Sequence, residues 1–276
     1  MKRSAIARIA VSTFMLWGGV SASSMAQDFI KGGDETFTLQ LGGILNQFGT
    51  TLRLDGQTTR GNEIDLENSG LKKSLTSFQG AATWRFLPNH RLDVLYFEAN
   101  RSGGRTTDRE ITIGDTVIPV NFTLATEVKD QFWLGSYRYS FVKSPAWEVA
   151  GLLGVFAGHF SYDFTATGIR QGQPTTIRTN AGTTVPLPLI GISADWYIDP
   201  RWKVSGSVSG IAANVGDYDG HALVAQVGTE YMITRNIGLG LAYMYSDMDV
   251  DVTKSNFNGN LGWTMNSVRG YVQLKF

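Results

Sequence analysis

RGYVQLKF, residues 269–276, closes the chain and sets how the rest is read. With Val268, the residues Gly270, Val272, Leu274 and Phe276 share one parity; Arg269, Tyr271, Gln273 and Lys275 share the other. A strand sends successive side chains to opposite faces, so this stretch has one apolar and one polar side. The pattern recurs upstream. Ile190, Ile192, Ala194 and Trp196 oppose Gly191, Ser193 and Asp195; after an Asp199-Pro200 turn, Trp202, Val204, Gly206 and Val208 oppose Lys203, Ser205, Ser207 and Ser209. Similar apolar faces run through Phe78 to Phe86, Trp133 to Phe141, Trp147 to Val155, Leu223 to Tyr231 and Ile237 to Tyr245.

The amino end is of another kind. Lys2, Arg3 and Arg8 flank an apolar run over 9–20, followed by small residues ending Ser24-Met25-Ala26. That order predicts a cleavable signal peptide over 1–26 and one exported domain over 27–276. The run is shorter than the ~20 residues that a spanning helix needs. Lysine and arginine (24) balance aspartate and glutamate (24), which argues against a nucleic-acid partner. With no cysteine, thiolate metal sites, thiol catalysis and disulfides are excluded. His90, His159 and His221 are not spaced as metal ligands, no G-x-S-x-G nucleophile motif occurs, and no cofactor is expected.

The connections alternate. Short turns fall near 88, 144, 200 and 235; longer polar stretches lie at 55–73, 101–127, 165–184 and 247–260. This predicts an all-β, closed antiparallel transmembrane barrel of about ten strands, with eight or twelve as alternatives. Apolar parity switches beyond Gln47, to Phe48, Leu52 and Leu54, and again near His159, to Phe160, Tyr162 and Phe164. Bulges at both places would keep one apolar face continuous. The strand near Arg91 is ambiguous, since Leu92, Val94 and Tyr96 compete with Leu95 and Phe97. Trp84, Trp147, Trp196, Trp202, Tyr231 and Phe276 all sit beside the short turns, as an interfacial aromatic girdle does. A soluble barrel also alternates but keeps its apolar face inside; the rim aromatics and the secretory start favour lipid outside.

Alternation, secretory start and terminal aromatic residue together resemble the small outer-membrane β-barrel proteins of Gram-negative bacteria. The resemblance implies an outer-membrane location, contact with membrane lipid and lipopolysaccharide, and a role for Phe276 in recognition by the barrel-insertion machinery. The oligomeric state is left open, with a monomer favoured. Arg85, Arg138, Glu148, Asp195, Lys203, Glu230 and Arg269 fall on the polar parity and are expected to line the lumen, paired as a polar filling or, alternatively, as a narrow pore. The chain then reads as a non-enzymatic barrel, structural or narrow-pore, with surface-exposed loops. One other constellation carries chemistry. Asp219 and His221 in one outer loop and Asp108 and Glu110 in another resemble the Asp–His and acidic pairs of the omptins, ten-stranded outer-membrane proteases. That resemblance implies water activated by the Asp–His pair. Against it, Asp219 and His221 share the parity of Leu223 and Ala225, the lipid face. A lipid-modifying barrel enzyme is a further alternative without a motif.

Overall fold

A computed structural model describes residues 33–254 and 257–276; the signal segment 1–26 lies outside the described residues. The strands are β1 (Phe37–Leu54), β2 (Glu63–Asp65), β3 (Ser74–Leu87), β4 (His90–Thr106), β5 (Ile111–Ile113), β6 (Thr116–Ile118), β7 (Thr123–Lys143), β8 (Trp147–Arg170), β9 (Gln173–Tyr197), β10 (Trp202–Val215), β11 (Tyr218–Met232), β12 (Ile237–Lys254) and β13 (Phe257–Lys275). Ten of them, all but β2, β5 and β6, form an antiparallel ring, which β13 closes by pairing with β1 from Thr38↔Lys275 to Leu54↔Gly259. The last strand therefore has a partner on both edges, and the ring has no open edge at its base.

The lipid face lies at the end bearing the short turns. On β8, Trp147, Val149, Gly151, Leu153, Val155 and Ala157 point outward. At ~3.3 Å per residue and a ~40° tilt, this run spans about 25 Å, the height of an outer-membrane apolar band. Above it the exterior becomes polar: His159, Asp163 and Thr167 on β8, and Gln131, Lys129 and Glu127 on β7, are exposed. Trp133 and Tyr96, with ring centroids 4.3 Å apart, mark that upper boundary. The ring is a transmembrane β-barrel whose wall continues well beyond the bilayer.

The expected bulges are absent. β1 pairs with β13 without a register shift, and β8 pairs with both neighbours straight through His159. Phe48, Leu52 and Leu54 are buried because they point into the barrel, as do Phe160, Tyr162 and Phe164. What switches is the surroundings, not the strand. In the bilayer the outside is apolar and the lumen polar; above it the outside meets water and the lumen takes the apolar side chains. The stretches at 165–184 and 247–260, expected as loops, are hairpin walls of β8–β9 and β12–β13; residues 255–256 at the latter tip lie outside the described residues. The ambiguous β4 resolves the same way, with Leu92 and Val94 exposed and Leu95 and Phe97 buried.

Two prolines shape this wall. β9 pairs with β8 along its whole length but with β10 only from Ile190 to Tyr197. The Tyr197 amide donates to Ala146 on the β8 side and the Ile198 amide to Trp202 on the β10 side. Pro186 and Pro188 have the parity of Ile198, so the N–H groups they lack are those that would have met β10. Before Ile190 the β9 edge that faces β10 is therefore unpaired, while β8 stays paired with β7 as far as Thr167.

Candidate functional site

The lumen holds two chambers of opposite character. Around the turn end, the inward positions of the strands carry a charged lattice. Arg85 forms a two-pronged ion pair with Glu148 (Nη1–Oε1 and Nη2–Oε2, both 2.9 Å), and Glu148 also accepts from Tyr197 (3.2 Å) and Ser140. Arg91 pairs with Asp195 (3.1 Å) and reaches Asp93 (3.7 Å), which also holds Arg138 (2.9 Å). Glu230 is shared by Lys203 (2.9 Å) and Lys275 (3.6 Å) and accepts from Gln40 and Tyr271, both at 3.2 Å. Arg269 donates from Nη1 to Gln226 Oε1 (2.9 Å). Arg85, Arg138, Glu148, Asp195, Lys203, Glu230 and Arg269 all take part in this lattice. Arg91, Asp93, Lys275 and the buried Glu35 complete the lattice.

The chain before β1 seals this chamber from below. Gly33 is buried, its carbonyl accepts from Lys143 Nζ (2.9 Å), and its amide donates to Glu35 Oε2 (2.8 Å). Gly33 has φ of +84°, a left-handed conformation, and an added Cβ would stand 3.1 Å from Glu148 Oε2. Glycine is the residue that permits both the turn and the close approach. A cavity of about 120 Å³ remains between Asp93, Asp195, Ser207, Gln226, Glu230 and Arg269.

Above the polar chamber the lumen is filled by side chains. Phe132 stacks on Trp263 (4.7 Å between centroids) and Phe97 (4.8 Å), meets Phe160 edge-on (5.7 Å), and lies 6.0 Å from Phe156. Phe48, Leu52, Met244, Met248, Val250 and Leu261 pack around them. The 55–73 segment and the β5–β6 hairpin fold over the top, burying Leu66, Leu71, Ile113 and Ile118. Inside this apolar mass lies one charged group of residues. Arg101 sits 4.2 Å over the Phe48 ring, bonds Glu67, and approaches Asp130 at 3.6 Å. Asp130 is 1% exposed and neither of its oxygens has a hydrogen-bond partner. It lies between the outward Lys129 and Gln131, above the apolar band; burial raises its pKa from the ordinary 3.8 to about 7, although Arg101 pulls it down.

The Asp–His and acidic pairs are not brought together. Asp219 and His221 point outward from β11; the His221 ring meets Asp247 of β12 (Nε2–Oδ1, 3.3 Å), and Asp219 accepts from Asn214 (3.3 Å). Asp108 pairs with Arg105 (3.3 Å) in the β4–β5 connection, next to Glu110. In the ring, β4 and β11 lie five strands apart, on opposite sides of a ten-stranded barrel. His159 is on the exterior, bonded to Thr184 (2.9 Å), and His90 lies among Phe86, Tyr137 and Tyr139 rather than free in solvent. No group of three or more metal-ligating side chains occurs among the described residues. Trp84, Trp147, Trp196, Trp202, Tyr231 and Phe276 are exposed on the outer wall at the turn end, and Trp147 stacks on Trp196 at 5.4 Å.

Sequence reading missed Arg91 and Asp93 because their strand had two plausible parities. Arg101 opens the 101–127 stretch that reads as a polar connection, and Asp130 falls between that stretch and Trp133, where the next apolar face begins. The signal was available in Arg85: antiparallel pairing across the 88–89 turn places Arg91 directly opposite it, on the same face.

No family model and no curated protein matches this chain. Solved structures do. The outer-membrane protease OmpT from Escherichia coli superposes with a TM-score of 0.60 at 9% identity, covering 89% of this chain and 98% of that one. The outer membrane protein OprG from Pseudomonas aeruginosa gives 0.35 at 12% identity, covering 87% and 95%. At these identities the likeness concerns the fold. With the apolar band and its aromatic girdle, the fold shared with OmpT makes this chain an integral outer-membrane β-barrel.

Proposed function

We propose that this chain is a non-enzymatic, solute-tight barrel of the outer membrane, whose tall outer wall and loops form a rigid surface beyond the bilayer. The observation that carries this reading is the double closure of the lumen. Ion pairs and the 33–36 segment fill its lower part, and a continuous aromatic and aliphatic core fills its upper part. Barrels near eight strands are roughly filled by side chains, whereas water-filled channels come at 16–18 strands. The filled interior favours the structural role over the narrow pore. The barrel's partners in this reading are membrane lipid, lipopolysaccharide around the exposed wall, and the insertion machinery acting on the strand that ends in Phe276; the barrel acts as a monomer. Planar-bilayer recording tests the closure: a silent membrane at all voltages is expected, and reproducible conductance steps would overturn it.

Two features weigh against an omptin-like protease built from Asp219, His221, Asp108 and Glu110. The Asp–His pair faces outward, and the acidic pair lies across the ring from it. Incubation with dibasic peptides should give no cleavage, and a rate lost on His221→Ala would sink this assignment.

A further inference from the structure

The polar chamber holds six basic side chains, Arg85, Arg91, Arg138, Lys203, Arg269 and Lys275, against five acidic ones, Glu35, Asp93, Glu148, Asp195 and Glu230. Arg85, Arg91, Arg138, Lys203 and Lys275 each have a carboxylate within 4 Å. Arg269 has none among the described residues. Its guanidinium is all but enclosed, with the residue 4% exposed; it bonds one neutral amide oxygen, lies 5.5 Å from the Tyr271 ring, and leaves Nε without a partner. Glu230 is already engaged by Lys203, Lys275, Gln40 and Tyr271.

A buried charge without a counter-ion is strongly disfavoured, and arginine does not relieve this by giving up its proton. The charge therefore calls for an anion, and there is room for one. Arg269 lines the cavity of about 120 Å³, well above the ~10–15 Å³ that one water needs. The Ser205 and Ser207 hydroxyls line the same cavity and supply neutral donors. We propose that the lumen holds a small monovalent anion, chloride, on Arg269, as the missing sixth negative charge of the lattice. The site belongs to the polar chamber and does not depend on whether the barrel conducts. Because the cavity is bounded by charged and hydrogen-bonding side chains on fixed strands, it favours a compact ion over a bulky organic one.

The test uses the full barrel refolded in phospholipid vesicles, with sodium chloride exchanged for sodium gluconate at constant ionic strength. Chloride binds the folded state only, so the unfolding temperature is expected to rise saturably, by a few degrees, as chloride replaces gluconate. Gln226→Glu places a carboxylate where Arg269 now meets an amide. This variant is expected to melt in gluconate as high as the wild type does in chloride and to lose the chloride response. Chlorine-35 line broadening reads the ion itself: excess broadening by the wild type should vanish in Gln226→Glu and in Arg269→Met. A wild-type barrel whose unfolding temperature and line width are indifferent to chloride would overturn the proposal, as would a Gln226→Glu variant that still responds as the wild type does. Silent bilayers together with a chloride-dependent unfolding temperature would uphold both the site and the closed barrel; conductance with the same dependence would remove only the closure.

Discussion

Individual side chains divide this lumen by what surrounds them. Phe132 is the hub of the outer core, within 6.0 Å of four aromatic rings. Phe132→Ala removes its burial and leaves a hole that a closed wall collapses around poorly. A loss of about 3–5 kcal/mol is expected in urea unfolding of the lipid-embedded barrel. A loss below ~1 kcal/mol would mean that the core is loosely packed. Two residues away, Asp130 makes the opposite prediction. Its carboxyl titrates near 3.8 when unfolded and near 7 when folded, so its ionisation opposes folding. The penalty is absent below the unfolded value, grows through the interval, and is complete above about 7. Asp130→Asn should therefore be more stable than the wild type at pH 8, by an amount on the order of a few kcal/mol, since a tenfold change in proton affinity is worth about 1.4 kcal/mol. The advantage should shrink by pH 5. An advantage independent of pH would show that the gain does not come from the proton.

At the scale of strands, the lesson lies in the parity switches. Reading Phe48 and Phe160 as displaced by bulges assumed that the apolar face always meets lipid. That assumption held for the membrane half, where Trp147, Leu153, Ile192 and Val272 fall on the exterior as alternation predicts. It failed above the membrane, because period two reports two faces but not which face meets water. Ring closure and the short turns were legible in the sequence. The second core was not: its members lie far apart in the chain, and Phe48 and Phe160 read as lipid-facing beyond a bulge while Val250 and Val252 read as loop residues. β8 offers a direct test of where the switch falls. Leu153→Arg puts a charge into the apolar band and should cost about 2–4 kcal/mol. Asp163→Arg, on the same face but above the band, should cost less than ~0.5 kcal/mol, as an ordinary surface change does. Equal costs would refute the boundary. The β9 prolines give a second test. Pro186→Thr combined with Pro188→Thr restores two N–H groups facing β10, so the ladder should lengthen and hydrogen exchange at Ala212 and Asn214 should slow. Unchanged exchange there would show that another constraint holds the strands apart.

As a whole molecule, the chain joins two kinds of barrel along one set of strands: an inverted membrane barrel below and a soluble-type barrel above. The lower half depends on ion pairs because lipid takes its apolar face; the upper half depends on side-chain packing because water takes its polar face. This division explains why closure needs no separate plug domain. The seal is the core that stabilises the outer wall, so permeability and outer-wall stability are coupled. Combining Phe132→Ala, Phe156→Ala and Trp263→Ala removes three rings in mutual contact while leaving the lipid face, its girdle and its ion pairs intact. The variant should still insert and keep a heat-resistant folded band in electrophoresis, because its lipid face is unchanged. Its outer half should melt at lower denaturant than the membrane half, whereas the wild type is expected to melt as one unit. In planar bilayers it should pass small ions in brief steps, since water entering the emptied core would meet the hydrated polar chamber below. A folded triple variant as silent as the wild type would place the seal instead at the lower mouth, where Gly33 and Glu35 close the ring against Lys143.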